Sequence, residues 1–167
     1  CKSCMLEKAH RNSLLCDLES TTARFMFFVT LTYDNYYVPR STFVPTLDEN
    51  IFSLVDKETG EYFGEVNLTW QDRFKYERKF NINGDIPYLR KIDLQLFLKR
   101  LRKYVYKKYG IRIRFYAVGE YGPKHLRPHY HLLLWSESKE LVKDLEHIIS
   151  EKWSFGRTDT QLATGNA

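Results

Sequence analysis

The sequence predicts an α+β fold, one antiparallel sheet with helices packed against it, in a chain long enough for a single domain. Three observations carry this. Apolar, β-branched and aromatic runs at 24–33 and 111–135 have strand character. Segments 93–109 and 139–153 instead space their apolar residues at the helical period. Hydrophobic residues make up 43% of the 167 positions and aromatics 16%, which suits a folded core and excludes a disordered chain.

Residues 5–23 lack Gly and Pro, and Leu14, Leu15 and Leu18 form a partial helical stripe with Leu6 and Cys16 nearby, so a first helix is expected. Arg24–Tyr33 then reads as a buried central strand, with Thr30 and Thr32 on one face near its end. Between 36 and 87 the pattern loosens. Ile51–Val55 and Glu61–Leu68 flank Asp56-Lys-Glu-Thr-Gly60, the signature of a β-hairpin insertion. Asp93 stands at an N-cap position before Leu94, Phe97, Leu98, Leu101 and Val105, and Gly110 ends that helix. Ile111–Val118 alternates with period two, placing Arg112, Arg114 and Tyr116 on one face, and leads into a second strand ending near Trp135. An amphipathic helix over 139–153 and a last strand near 156–162 follow, and Ala163–Ala167 read as a turn. Without the first helix and the insertion, the order is βαββαβ, the ferredoxin-like (RRM-like) arrangement, with one sheet face left for a ligand.

Charge narrows the function classes. Residues 88–128 hold twelve Lys/Arg against two acids, Asp93 and Glu120, a local +10 in a chain of net +5. Such a block suits a polyanionic partner, nucleic acid first; the alternative is a solvated helix face. Three cysteines, Cys1, Cys4 and Cys16, do not make a disulfide framework, and Cys1-x-x-Cys4 with His10 and Cys16 nearby is half of a zinc spacing. With no signal peptide and no apolar run long enough for a membrane, a soluble protein in a reducing compartment is expected.

The chemistry concentrates in Val118–His131. On a strand His129 and His131 share one face, about 7 Å apart, with Tyr130 on the other. Gly119-Glu-Tyr-Gly-Pro123 reads as the start of a loop. If it joins antiparallel neighbours, Glu120 leaves one strand where His129 enters the next, giving a candidate two-His, one-carboxylate metal site.

Three pieces then resemble a known family: Phe28-Val-Thr-Leu-Thr-Tyr33, Asp93-Leu-Gln-Leu-Phe-Leu-Lys-Arg-Leu-Arg102, and Val118-Gly-Glu-Tyr-Gly-x5-Pro-His-Tyr-His131. Together they resemble the His-hydrophobe-His (HUH) endonucleases that start rolling-circle replication, closest to the initiators of microviruses, small gokushovirus-like single-stranded DNA phages. The resemblance implies Mg²⁺ or Mn²⁺ held by Glu120, His129 and His131. It also implies nicking and rejoining of single-stranded DNA at an origin or hairpin through a phosphotyrosine. Thr30, Thr32, Tyr33, Arg112, Arg114, Tyr116, Lys124 and Arg127 are the expected DNA contacts. The setting is the cytoplasm of a bacterial host, with the host replication machinery as a further partner and no membrane. The family nucleophile lies in a Tyr-x-x-Lys on a helix after the last core strand. The expectation is therefore a domain cut off at Ala167, with the nucleophilic tyrosine beyond Ala167. Literal matches at Tyr76, Tyr88 and Tyr104 all precede the His motif, and the catalytic tyrosine stays unassigned. Two other readings stay open: an RRM-like single-strand binder using Arg112, Arg114 and Tyr116 with structural histidines, and a single-tyrosine HUH transposase.

Overall fold

A computed structural model of the chain describes residues 2–67, 85–123 and 126–165. Its elements in order are α1 (Lys2–Thr22), β1 (Phe25–Thr32), β2 (Arg40–Pro45), β3 (Ile51–Asp56), β4 (Tyr62–Asn67), β5 (Ile86–Pro87), α2 (Lys91–Tyr109), β6 (Arg114–Tyr121), β7 (Pro128–Ser136), α3 (Lys139–Lys152) and β8 (Thr158–Gly165). The strands form two sheets, ordered β6-β7-β1-β8 and β4-β3-β2-β5. The chain divides into two compact units, one made of 1–32, 92–118 and 130–167, the other of 33–91 and 119–129.

The first unit carries the expected α+β core. Numbering only β1, β6, β7 and β8, the sheet has the 4-1-3-2 order of a ferredoxin-like split βαβ, and β8 runs antiparallel to β1 along Phe25–Leu31. Burial alternates as a half-covered sheet demands. Phe25, Phe27, Val29 and Leu31 of β1 and Tyr130, Leu132 and Leu134 of β7 are buried, while Met26, Thr30, Thr32, His129 and His131 between them are half-exposed. The dry face shares its core with Phe97, Leu98, Leu101 and Val105 of α2 and Leu141, Leu145, Ile148 and Ile149 of α3. Trp153, which caps α3, ties the layers together. Its ring meets Phe97 edge-on at 5.7 Å and Tyr130 at 6.0 Å, and its indole N–H donates to the Thr32 carbonyl at 2.9 Å.

Four expectations change. Asp93 lies inside the first turn of α2, buried, because the helix starts at Lys91; the acid still suits the positive end of the helix dipole. The last strand runs on to Gly165 where a turn over Ala163–Ala167 was expected, because pairing with β1 continues as far as Phe25 opposite Gly165; Ala167 itself lies outside the described residues. The Leu14, Leu15 and Leu18 stripe of α1 points away from the core and is half or more exposed. What docks α1 is polar. Asn12 Nδ2 donates to the Tyr116 hydroxyl at 3.3 Å, Glu19 pairs with Arg114 at 2.6 Å, and the Ser20 hydroxyl accepts from Trp135 Nε1 at 3.1 Å. Ser20, on the same docked side of α1, also reaches Met26, so α1 lies on the sheet face opposite α2 and α3, the face expected to stay open.

In the second unit the hairpin expected around 56–60 is β3–β4, but it belongs to a four-stranded antiparallel sheet rather than standing alone. Buried Asp56 organises its turn, accepting from the amides of Glu58 and Thr59 and from the Tyr88 hydroxyl, while Gly60 takes φ +72°. Most of 70–87 lies outside the described residues, as does Tyr76.

Candidate metal centre

The site is built on the β6–β7 hairpin, two neighbouring strands joined by six residues, a connection short enough to require antiparallel pairing. β6 extends through Tyr121, so Glu120 stands on the strand rather than in the loop. The turn is tight: the Gly122 amide donates to the Arg127 carbonyl at 3.0 Å and the Leu126 amide to the Gly122 carbonyl at 3.0 Å, with Leu126 at φ +47°. Gly119 has its own reason to be glycine. A Cβ there would come within 2.8 Å of the Leu89 side chain, so the missing side chain lets Leu89 pack against the strand next to the acid.

One ligand atom each from Glu120, His129 and His131 can be chosen so that all lie within 4.8 Å of one another. Three ligands at about 2.1 Å on one side of an octahedral ion stand roughly 3 Å apart. The cluster is therefore slightly open, and Glu120, exposed and 3.7 Å from His129 Nε2, is the residue able to swing in. Imidazole nitrogen and carboxylate oxygen form a donor set that fits Mg²⁺ or, better matched to its two histidines, Mn²⁺.

Both histidines have partners that set their orientation. His129 Nδ1 lies 3.2 Å from the Arg127 carbonyl, which can only accept, so that nitrogen carries the proton and the lone pair sits on Nε2, on the Glu120 side. His131 Nδ1 is 3.1 Å from the Thr30 hydroxyl, and its ring stacks on Phe28 at 5.2 Å and 21°. This support for metal-ligating imidazoles is the usual one, a second hydrogen bond that fixes tautomer and ring plane.

The expected DNA contacts separate. Thr30 belongs to the centre through His131. Thr32 donates to the Arg157 carbonyl at 3.1 Å. Tyr33 is 1% exposed, so its ring cannot stack on a base, a correction that follows from the inward-facing side of the chain after β1. Arg114 is held by Glu19 and Glu137, and Tyr116 by Asn12, so the face on which the RRM-like reading rested is occupied by α1. Arg112 precedes β6, so it shares no strand face with them; it lines a cleft with Arg102 and Lys103. Arg127 donates to Asn35 beside the hairpin turn. Lys124 lies outside the described residues. Sequence reasoning missed Phe28 as a ring support and the Arg127 carbonyl as the tautomer-setting acceptor. Phe28 could have been found: it shares parity with Thr30 on β1.

The nucleophile expected beyond Ala167 lies outside the described residues, which end at Gly165. Neither described Tyr-x-x-Lys tyrosine is poised to take its place. Burial and the bond to Asp56 push the Tyr88 hydroxyl above the ordinary phenol range, which keeps it protonated. Tyr104 sits on α2 beneath Lys152, whose ammonium is 4.3 Å from its ring centre.

Among solved structures, none matches this chain. The Replication-associated protein ORF4 of Chlamydia phage 1 is 34% identical over 86 residues, covering 42% of this chain and 22% of the relative. The Replication-associated protein ORF2 of Spiroplasma virus 4 is 45% identical over 100 residues, covering 60% of this chain and 29% of the relative. The chain thus spans less than a third of the length of these relatives. Residues 26–167, from the start of β1 through the metal hairpin to the last strand, match the family of replication-associated proteins of the ORF2 type, and the chain belongs to that family of phage replication proteins.

Proposed function

We propose that this chain is the metal-binding endonuclease domain of a rolling-circle replication initiator, acting on single-stranded DNA at an origin. The observation that carries the reading is the convergence of Glu120, His129 and His131 on one hairpin, each histidine with a second partner. Glu120, His129 Nε2 and His131 would hold Mg²⁺ or Mn²⁺, which supplies Lewis-acid polarisation of the scissile phosphate. The chain's own part is to orient the two rings through Thr30, Phe28 and the Arg127 carbonyl, so that little reorganisation accompanies binding.

In the proposed reaction a tyrosine oxygen bonds to phosphorus as the bond from phosphorus to the 3′-oxygen breaks. The phenolic proton passes to a base and the 3′-oxygen leaves as a hydroxyl able to prime synthesis. The reverse step rejoins the strand. No described tyrosine is assigned as the nucleophile. The proposed setting is the host cell; among the described residues no helix is long and apolar enough to cross a membrane.

The test is calorimetric titration of Mn²⁺ into the wild type and the His129→Ala/His131→Ala protein. Micromolar to millimolar binding lost in the variant is the expected result. Equal heats for both would remove the metal centre, and with it the endonuclease reading.

A further inference from the structure

Beyond the hairpin, the C-terminal half of α2 and the segment after it enclose an open cleft of about 380 Å³ lined by Arg102, Lys103, Tyr106, Arg112 and Ile113. Three cations line it and no acid does. Among the described residues none of the three takes part in an ion pair, although acids elsewhere in the same unit are used in this way: Asp144 pairs with Lys108 at 2.9 Å, and Glu19 with Arg114 at 2.6 Å. Helix-dipole complementarity accounts for Lys107 and Lys108 in the last turn of α2. It does not account for Arg102, more than a turn earlier, or for Arg112, which is outside the helix.

Two features give the cleft a chemical preference. The Arg102 guanidinium lies 5.8 Å from the Phe115 ring centre, a stacking contact that restrains its plane, and planar guanidinium forks match phosphate oxygens two at a time. Tyr106 is 57% exposed on the rim of this basic surface, and an exposed ring beside clustered cations is the composition of a single-strand binding surface: cations follow the backbone, the ring takes an unpaired base.

We propose that this cleft is a second nucleic-acid site, holding backbone phosphates of single-stranded DNA outside the metal centre, with Tyr106 stacking on a base of the same strand. It rests on the reading that the domain binds single-stranded DNA, and it adds an anchoring site that contributes affinity without touching the scissile phosphate.

The test is fluorescence anisotropy of a labelled mixed-sequence single-stranded oligonucleotide from 50 to 200 mM salt, with circular dichroism confirming that each variant is folded. For R102A/K103A/R112A the slope of log affinity against log salt should become shallower by about 2, the value for three lost phosphate contacts on a single strand, with affinity at the lowest salt at least tenfold weaker. Tyr106→Ala should weaken binding roughly fivefold or more and leave the slope unchanged. R102K/R112K should keep the slope and lose affinity, because charge is retained and the fork is not. An unchanged slope in the triple variant overturns the proposal. So does equal weakening toward a duplex oligonucleotide with no effect of Tyr106→Ala, which would make the cleft a duplex-backbone contact. Mn²⁺ titration separates the two readings: loss of the slope in a protein that binds no Mn²⁺ leaves the cleft standing and removes the endonuclease reading. Normal Mn²⁺ binding with no strand binding removes the cleft alone.

Discussion

Replacing Thr30 by Val tests whether the metal centre is pre-oriented by its neighbours. Valine keeps the shape and the strand preference of threonine and deletes only the hydroxyl 3.1 Å from His131 Nδ1. Loss of such a partner ordinarily costs ten- to a hundredfold in metal affinity. Here the ring plane has a second support, the Phe28 stack at 5.2 Å, so the orientation is partly kept. What remains to lose is one neutral hydrogen bond, about 1 kcal/mol, which corresponds to roughly five- to tenfold weaker Mn²⁺ binding. Calorimetric titration of wild type, Thr30→Val, Phe28→Leu and the double variant would read this directly. The two single losses should combine to more than their sum if both supports act on one ring. Wild-type affinity in Thr30→Val would refute the assignment of Thr30 as an orienting group. Wild-type affinity in His131→Ala would refute His131 as a ligand.

Other outcomes follow from the packing. Trp153→Phe removes the bond to the Thr32 carbonyl and part of a fully buried ring, and should lower unfolding stability by about 2–3 kcal/mol, read as a drop in urea midpoint at unchanged slope. Burial works against the charge on Asp56, but the Tyr88 hydroxyl and the Thr59 and Glu58 amides outweigh it and hold the carboxyl below its ordinary value near 3.8. Its contribution is therefore complete above that value and lost as pH falls through the lower folded value. Tyr88→Phe should cost roughly 1.5–3 kcal/mol at neutral pH and move the acid loss upward in pH; acid titrations followed by circular dichroism check both. Glu19→Gln removes the acid that pairs with Arg114, so α1 should exchange its amide hydrogens faster while the β1–β8 ladder does not. Equal exchange in wild type and variant would show that the ion pair does not hold the helix.

The core was legible because its periods are strong. β1 and α2 each carry an unbroken pattern, and their observed bounds fall within two residues of those expected. The ligands were legible because His129 and His131 share parity on a strand and Glu120 faces them across a short connection, which fixes proximity by geometry alone. The second sheet was harder to read. Only β3–β4 announces itself with a Gly-bearing turn, whereas β2 contains Pro45 and β5 is two residues long, too short for any period to show. The α1 stripe misled for a physical reason. Apolar residues at helical spacing normally mark the buried side, but this helix docks through Asn12, Glu19 and Ser20.

That inverted docking bears on how the sheet face is used. Along β6, Arg114, Tyr116 and Glu120 share one parity, and along β7 His129, His131 and Trp135 do the same. At the stem of the hairpin this face meets α1 through Arg114, Tyr116 and Trp135. At its tip it presents the two imidazoles and the acid. A strand laid along the whole face would have to displace α1, breaking an ion pair and two hydrogen bonds, surface interactions each worth about 1 kcal/mol or less. A strand entering only at the tip displaces nothing there. The arrangement therefore favours DNA that reaches the centre from the hairpin end, with affinity drawn from cations elsewhere. Among the described residues of the first unit, Arg102, Lys103 and Arg112 form such a group, outside any ion pair and gathered in one cleft.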